Sequence, residues 1–310
     1  PPGGYYAPYK NPKLEDGPEG EYLPDRLTNE SIKFLDIAGQ KPFLLYLSFY
    51  TVHTPIQAAR DLAEKYQSRR KKMNIGDVPH KKEGEGWTKL IQENPAYGSM
   101  VEAMDRNVGR LIQALKKRGL DENTWIIFTS DNGGLSTLTR KNAPTSNGPL
   151  RAGKGWCYEG GIRVPLIISG PGITSPGRTT DQPAVSMDFF TTALNLAGIE
   201  HHPNDGINLV PLLTGEKATG RETLFWHFPH YHGSAWKPGS ALRQGDWKLV
   251  VHYESNRTEL FNLADDPGEK TNLAENMPGK TTEIKELLDK KLSETNAKFP
   301  QPNPDFQNQD

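Results

Sequence analysis

Cysteine is almost missing from this chain: Cys157 is the only one among 310 residues. An internal disulfide is thereby excluded, as is any metal site built from several cysteines. A surplus of one charge is missing too. The 37 Lys and Arg meet 38 Asp and Glu, for a formal charge of −1, so the chain lacks the overall positive field that gathers nucleic acid. Long hydrophobic runs are also absent. No stretch approaches the roughly 18 apolar residues of a membrane-spanning helix, and the mean hydropathy is −0.69. The opening Pro1-Pro2-Gly3-Gly4-Tyr5-Tyr6 has neither an initiator Met nor the pattern of a secretory signal. What is plentiful is loop chemistry, with 30 Gly and 25 Pro. The length allows one large or two smaller domains with a real core.

Apolar spacing supplies the first structural expectations. Ile32, Leu35 and Ile37 predict a helix over 27–39, with Asn29 or Ser31 as its cap. The apolar run 42–49 predicts a strand covered on both faces. A short helix is expected over 58–67, then a polar, exposed insertion over 68–90. The stripe Tyr97, Met100, Val101, Met104, Val108, Leu111, Ile112 and Leu115 predicts a long helix over 94–118, stopped by Gly119. Strands at 125–130 and 164–169 and a helix at 186–197 complete an α/β alternation. After about residue 220 the pattern changes. Short strands at 224–227, 241–244, 248–252 and 259–262 predict an antiparallel sheet, closed by a helix over 283–296 and an extended tail. We therefore expect an α/β core over 1–219 and an antiparallel subdomain over 220–310.

Ligands in open α/β sheets gather at the carboxyl ends of strands. Asp131 and Asn132 follow one such strand. A carboxylate beside a carboxamide oxygen suits Ca²⁺ or Mg²⁺, though Asp-Asn-Gly-Gly is also good turn chemistry. His53 follows the 42–49 run, where an imidazole can act as acid or base. Lys154 stands between Gly153 and Gly155 and offers a point charge to a sulfate or phosphate oxygen. The spacing is not that of a phosphate-binding P-loop, since position 149 is Pro and position 155 is Gly. His227, His230 and His232 lie among aromatics without a fourth ligand for zinc. They read better as a substrate-pocket wall or as structural residues.

In combination these segments resemble type I sulfatases of the alkaline-phosphatase superfamily. The resemblance rests on Thr129-Ser-Asp-Asn-Gly-Gly134, on Gly153-Lys-Gly-x-x-Tyr-Glu-Gly-Gly-x-Arg163 and on Pro42-Phe-Leu-Leu-Tyr-Leu-Ser48 with His53-Thr-Pro55. Ser186-Met-Asp188, Leu242-Arg-Gln-Gly-Asp-Trp-Lys248 and Glu259-Leu-Phe-Asn-Leu263 add to it. It covers nearly the whole chain and implies an alkaline-phosphatase-like mixed sheet flanked by helices. It further implies that Asp131 and Asn132 are Ca²⁺ ligands and that Lys154 contacts the sulfate and the ester oxygen. His53 would help protonate the leaving oxygen. His227, His230 and Arg243 are taken as substrate-binding. Asn132, where phosphatase relatives favour His and zinc, points to an oxygen-ligated cation. The four residues His53, Asp131, Asn132 and Lys154 are expected to meet in one cleft.

The departures from the family pattern matter equally. Sulfatases carry a Cys-x-Pro-Ser-Arg-like motif whose Cys or Ser becomes formylglycine, the nucleophile. Cys157 is followed by Tyr158, Glu159 and Gly160 and does not match. The early acidic pair that completes the Ca²⁺ site and a Lys-x-His segment are likewise missing. The expectation is a C-terminal portion of a sulfatase, inactive alone, with an incomplete Ca²⁺ site and formylglycine only in a preceding segment. Two rival readings are a phosphodiesterase or phosphatase on the same fold and a non-catalytic sulfate- or glycan-binding protein. The expected partner is a small sulfate ester or a sulfated glycan, for which Trp226, Tyr231 and Trp236 offer stacking rings. Neither nucleic acid nor a membrane is expected. Family habit implies export to the periplasm or beyond. Asn29-Glu-Ser31 and Asn256-Arg-Thr258 fit glycosylation sequons.

Overall fold

In chain order the helices and strands are α1 (Leu23–Ala38), α2 (Ala63–Lys72), β1 (His80–Glu83), β2 (Gly86–Lys89), α3 (Pro95–Lys117), β3 (Ile126–Thr129), β4 (Thr137–Leu138), α4 (Glu159–Ile162), β5 (Leu166–Ser169), α5 (Ser186–Leu196), α6 (Val210–Thr214), β6 (Thr223–Phe228), β7 (Gly239–Gln244), β8 (Trp247–His252), β9 (Arg257–Asn262) and α7 (Pro278–Glu294). The structure, a computed structural model, describes residues 3–174, 177–200, 202–216 and 220–305. Contacts gather into two units. One holds the residues up to Val78 with Gln92–Ile127 and Ile168–Pro171. The other holds Pro79–Ile91, Phe128–Ile167 and the chain from Gly172 onward.

In the first unit α1 and α3 pack together. Helix α1 begins at Leu23, four residues before the expected start, because Pro24 fits the first turn. A first-turn N–H has no intrahelical partner, so proline loses nothing there. Helix α3 follows its apolar stripe. The Asn94 side chain caps it, accepting from Ala96 N–H at 3.0 Å and Tyr97 N–H at 3.2 Å. Met100 and Ala103 join Tyr5, Tyr9, Tyr22 and Leu23 in one buried cluster. Leu35, Ala114 and Leu115 centre a second, with Phe43, Leu111 and Ile126 against it. Val101, expected in the stripe, is exposed.

The expected strand over 42–49 is corrected. The segment alternates between half-buried and exposed residues, with Leu44 80% and Tyr46 88% exposed. It has the period of a strand but no strand partner among the described residues. β3 and β5 do pair, as a two-stranded sheet. Ile167 of β5 is exposed, so these strands are not covered on both faces among the described residues. The expected 58–67 helix starts later, as a 3-10 turn at Arg60–Leu62 that runs into α2.

The second unit holds two antiparallel sheets. β1, β2 and β4 form the smaller one, with Lys82 opposite Trp87 and Trp87 opposite Leu138. This corrects the reading of 68–90 as an exposed insertion. Glu83, Thr88 and Lys89 are buried: the Glu83 carboxylate receives the Arg151 guanidinium fork at 2.7 and 2.9 Å, and the Thr88 hydroxyl bonds that of Thr137 at 2.7 Å. The larger sheet is a meander in the order β6-β7-β8-β9, as the 2-residue periodicity predicts. One face packs Leu242, Leu249 and Leu260 against Ile284, Leu288 and Leu292 of α7. The other packs Ala241, Val250 and Phe261 against Ala152, Trp156, Tyr158 and Trp236. Each fully buried leucine of this kind stabilises by about 1.5–3 kcal/mol. The α/β character, the antiparallel C-terminal sheet and its closing helix thus hold. No helix among the described residues is long and apolar enough to cross a membrane.

Candidate active site

Strand β3 ends at Thr129, and the Ser130 hydroxyl donates to Asn132 O at 3.0 Å as the chain turns. Asp131 is exposed and Asn132 half-buried. Among the described residues neither side chain has a hydrogen-bond partner, so both keep their oxygens for a ligand. Gly133 follows because nothing larger fits: a Cβ there would collide with the carbonyl of Gly160. Its N–H donates to Gly161 O at 2.9 Å.

The Lys154 loop is tied to this turn through backbone and one carboxamide. Lys154 N–H donates to Gly134 O at 3.1 Å. The Asn147 side chain accepts from Gly134 N–H at 3.1 Å and donates to Gly134 O at 2.7 Å. The same amino group reaches Ser136 Oγ at 3.1 Å and Ala152 O at 3.0 Å. Gly160 N–H donates to Arg151 O at 2.8 Å. The loops carrying Asp131, Asn132 and Lys154 therefore share one hydrogen-bonded frame.

Charged groups anchor the frame to the meander. Lys248, fully buried, sits 2.8 Å from both Glu159 and Glu269. Burial opposes its charge, yet the two carboxylates outweigh it and hold its pKa above the usual lysine value. Glu269 in turn accepts from Glu159 N–H at 2.7 Å. Arg151 lies over the Tyr158 ring, 3.8 Å from its centre. The Tyr158 hydroxyl donates to Glu259, which also bonds His252 Nε2 at 3.0 Å. Burial pushes the Glu259 carboxyl up, but His252, Arg151 and Tyr158 prevail and hold it down to about 2.

Among the three clustered histidines the structure singles out His232. Gly155, at φ +84°, lies against its ring, and a Cβ at 155 would collide with Nδ1. Ser234 N–H donates to Nδ1 at 3.2 Å, which puts the ring proton on Nε2. Burial first, and the Lys154 charge second, lower its pKa below the free imidazole value. His227 is placed differently. It lies on the α7 face of the sheet, with Nδ1 at 2.7 Å from Ser240 Oγ and Nε2 at 2.8 Å from Lys298 O. Lys154 belongs to the segment packed on the opposite face, and His227 links the sheet to the tail through Lys298 O. Arg243 pairs with Leu224 and His227 with Ser240. An odd number of residues separates them along the hairpin, so the two side chains leave opposite faces. The Arg243 guanidinium donates to Gly245 O at 2.8 Å. His230 is exposed beside Phe228.

His53 belongs to the first unit. The buried Tyr5 hydroxyl donates to Tyr50 O at 2.6 Å and to His53 O at 2.9 Å, shaping the loop. His53 Nδ1 lies 2.9 Å from Thr54 O. A carbonyl only accepts, so Nδ1 carries the proton and Nε2 the lone pair in the neutral ring. Cys157 is buried, and burial pushes its thiol up to about 12, far from a reactive thiolate.

The donor set does not make a calcium site unaided. Asp131 and Asn132 offer two side-chain groups where Ca²⁺ takes about 6–8 oxygens. Among the described residues no group of three or more His, Cys, Asp or Glu could hold a metal.

Comparison with known proteins adds independent findings. The sulfatase family profile matches residues 3–199, and that of the C-terminal part of N-sulphoglucosamine sulphohydrolase matches residues 152–298. A sulfatase of Formosa agariphila is 34% identical over 306 residues, covering 91% of this chain and 51% of that protein. The steryl-sulfatase of Rattus norvegicus is 32% identical, covering 80% and 44%. The crystal structure of Ps i-CgsB in complex with k-i-k-neocarrahexaose superposes with a TM-score of 0.69 at 28% identity, covering 90% of this chain and 56% of that one. The chain spans about half the length of the relatives it matches.

Proposed function

The chain belongs to the sulfatase family, and on that premise we propose that it supplies the ester- and sulfate-binding part of a sulfuric-ester hydrolase site. The observation that carries this reading is the shared frame of Gly134, Asn147 and Lys154. It joins the loop that carries Lys154 to the turn that carries Asp131 and Asn132 at the end of β3. Sulfate-ester cleavage builds negative charge on the sulfuryl oxygens and on the departing oxygen. Lys154 answers the first. His53, when protonated, donates from Nε2 to the second. His232, with its proton on Nε2, adds a neutral donor in the neighbourhood of Lys154. His230 and Arg243 stay as candidates for sugar contacts. Asp131 and Asn132 would be two of the oxygen ligands of a calcium ion, whose remaining shell the described residues do not complete. Nor does any described residue supply the nucleophile, since Cys157 is buried and un-ionised.

The substrate class we propose is a sulfated sugar. It is supported by the relatives named N-acetylgalactosamine-6-sulfatase and by the structure of Ps i-CgsB in complex with k-i-k-neocarrahexaose. Export from the cytoplasm is part of the same proposal. The test is calorimetric titration with nitrophenyl sulfate. Binding that Lys154→Ala removes is expected; binding indifferent to Lys154→Ala would refute the reading. Binding with no turnover even in a protein that carries a formylglycine segment would favour a non-catalytic sulfate-binding role.

A further inference from the structure

A second cationic feature lies outside the Asp131 and Lys154 loops, on the sheet β1-β2-β4. Pairing of Lys82 with Trp87 and of Trp87 with Leu138 puts these three side chains on one face. The Lys82 ammonium lies 4.9 Å and the Lys141 ammonium 4.2 Å from the centre of the Trp87 ring. The two cations are therefore no more than about 9 Å apart. Both residues are exposed.

Two like charges drawn to one indole repel each other, and the Glu85 carboxylate, which feels Lys82, is bonded to Lys237 and not to either of them. Glu83, in the same strand as Lys82, is turned inward and held by Arg151. Glu85 of the turn is held by Lys237 at 2.8 Å. Lys82 itself donates to the Glu85 carbonyl at 3.1 Å, a neutral acceptor. Lys141 has no ion-pair partner among the described residues. The ring quadrupole attracts both ammonium groups, which leaves them pre-placed, and neither makes an ion pair among the described residues.

We propose that Lys82, Lys141 and Trp87 form a binding site for sulfate groups on a polyanionic sugar chain. Lysine is a good point charge for sulfate oxygens. Leu138, on the same face, adds an apolar edge for the C–H face of a sugar ring, while Trp87 holds the two ammonium groups. A nucleic acid base would need an open aromatic face to stack on, whereas here the ammonium groups lie over the indole. The proposal does not rest on the hydrolytic reading, because none of its residues belongs to the proposed hydrolytic site.

The test titrates the 310-residue chain calorimetrically with a heparin-derived hexasaccharide, its desulfated counterpart and a single-stranded oligonucleotide. The sulfated sugar should bind, more weakly as salt screens the charges. Replacing both Lys82→Gln and Lys141→Gln should weaken binding by about tenfold or more, as the loss of two charged contacts implies. Trp87→Leu, which keeps both lysines but frees them, should weaken it in the same direction. Lys81→Gln, on the opposite face, should leave it unchanged, and the double lysine replacement should weaken binding to the same degree in a Lys154→Ala background. Absence of binding to the sulfated sugar would overturn the proposal. So would an equal loss with Lys81→Gln, a loss confined to Lys154→Ala, or oligonucleotide binding as tight as that of the sugar.

Discussion

The Asn147 carboxamide and the Gly134 peptide group are bonded to each other twice, N–H to oxygen at 3.1 Å and amino group to carbonyl at 2.7 Å. A backbone glycine thereby gains the fixed orientation that its own missing side chain cannot impose. The loop behind Asp131 and Asn132 and the loop bearing Lys154 meet at this clasp. Asn147→Ala should destabilise the fold by about 1–3 kcal/mol, the usual loss when partly buried polar groups are left unpaired. Asn147→Asp should fall short of wild type as well, since it keeps the acceptor and loses the amino donor. Denaturant midpoints measure both.

Lys248 predicts a larger effect. Lys248→Met would leave Glu159 and Glu269 buried without their cation and should destabilise by about 3–5 kcal/mol. Equilibrium unfolding checks this. A loss under about 1 kcal/mol would mean that the two carboxylates carry no charge in the folded chain.

Glu259 predicts a pH dependence with a definite sign. Its carboxyl is held down to about 2 in the folded state, from 4.5 when unfolded. The unfolded chain therefore takes up the proton first. The stabilisation is present above about pH 4.5, is lost as pH falls toward 2, and amounts to about 3 kcal/mol. Glu259→Gln should shrink the stability difference between about pH 6 and about pH 3.

His232 predicts a spectroscopic shift. Its imidazole should titrate below the free value, because burial and then the Lys154 charge disfavour the imidazolium. Lys154→Ala should raise the midpoint, read from the His232 ring proton by NMR. No change on removing Lys154 would deny their proximity.

Much of this was legible in the residues, and the rest was not for definable reasons. Helix α3 could be read because Asn94 and Gly119 bracket an uninterrupted stripe. The meander could be read because Gly245-Asp246 and its like separate period-2 segments. Asp131, Asn132 and Lys154 stand out through their glycine neighbours; Gly133 and Gly153 prove to be demanded by close backbone approach, and Gly155 by its positive φ and the His232 ring. The 42–49 run predicts a covered strand because it is apolar on both faces, and such a run carries no information about whether a partner strand is present. Glu83 was read as exposed because its partner Arg151 lies 68 residues away. His232 could not be ranked above His227 from spacing alone. Only the fold shows that His227 points to α7 and that Gly155 rests on His232.

The central claim is that Lys154 and His53 serve sulfate-ester cleavage while the nucleophile lies outside the residues of this chain. The direct measurement is hydrolysis of nitrophenyl sulfate by the 310-residue chain, and by the same chain joined to an upstream sulfatase segment bearing a matured Cys-x-Pro-Ser-Arg motif. Loss of a positioned nucleophile removes more than the roughly 10²–10⁴-fold that acid–base assistance contributes. The predicted result is turnover by the joined protein only, abolished by Lys154→Ala and sharply reduced by His53→Ala. Robust turnover by the chain alone, or joined-protein turnover indifferent to Lys154→Ala, would contradict the account.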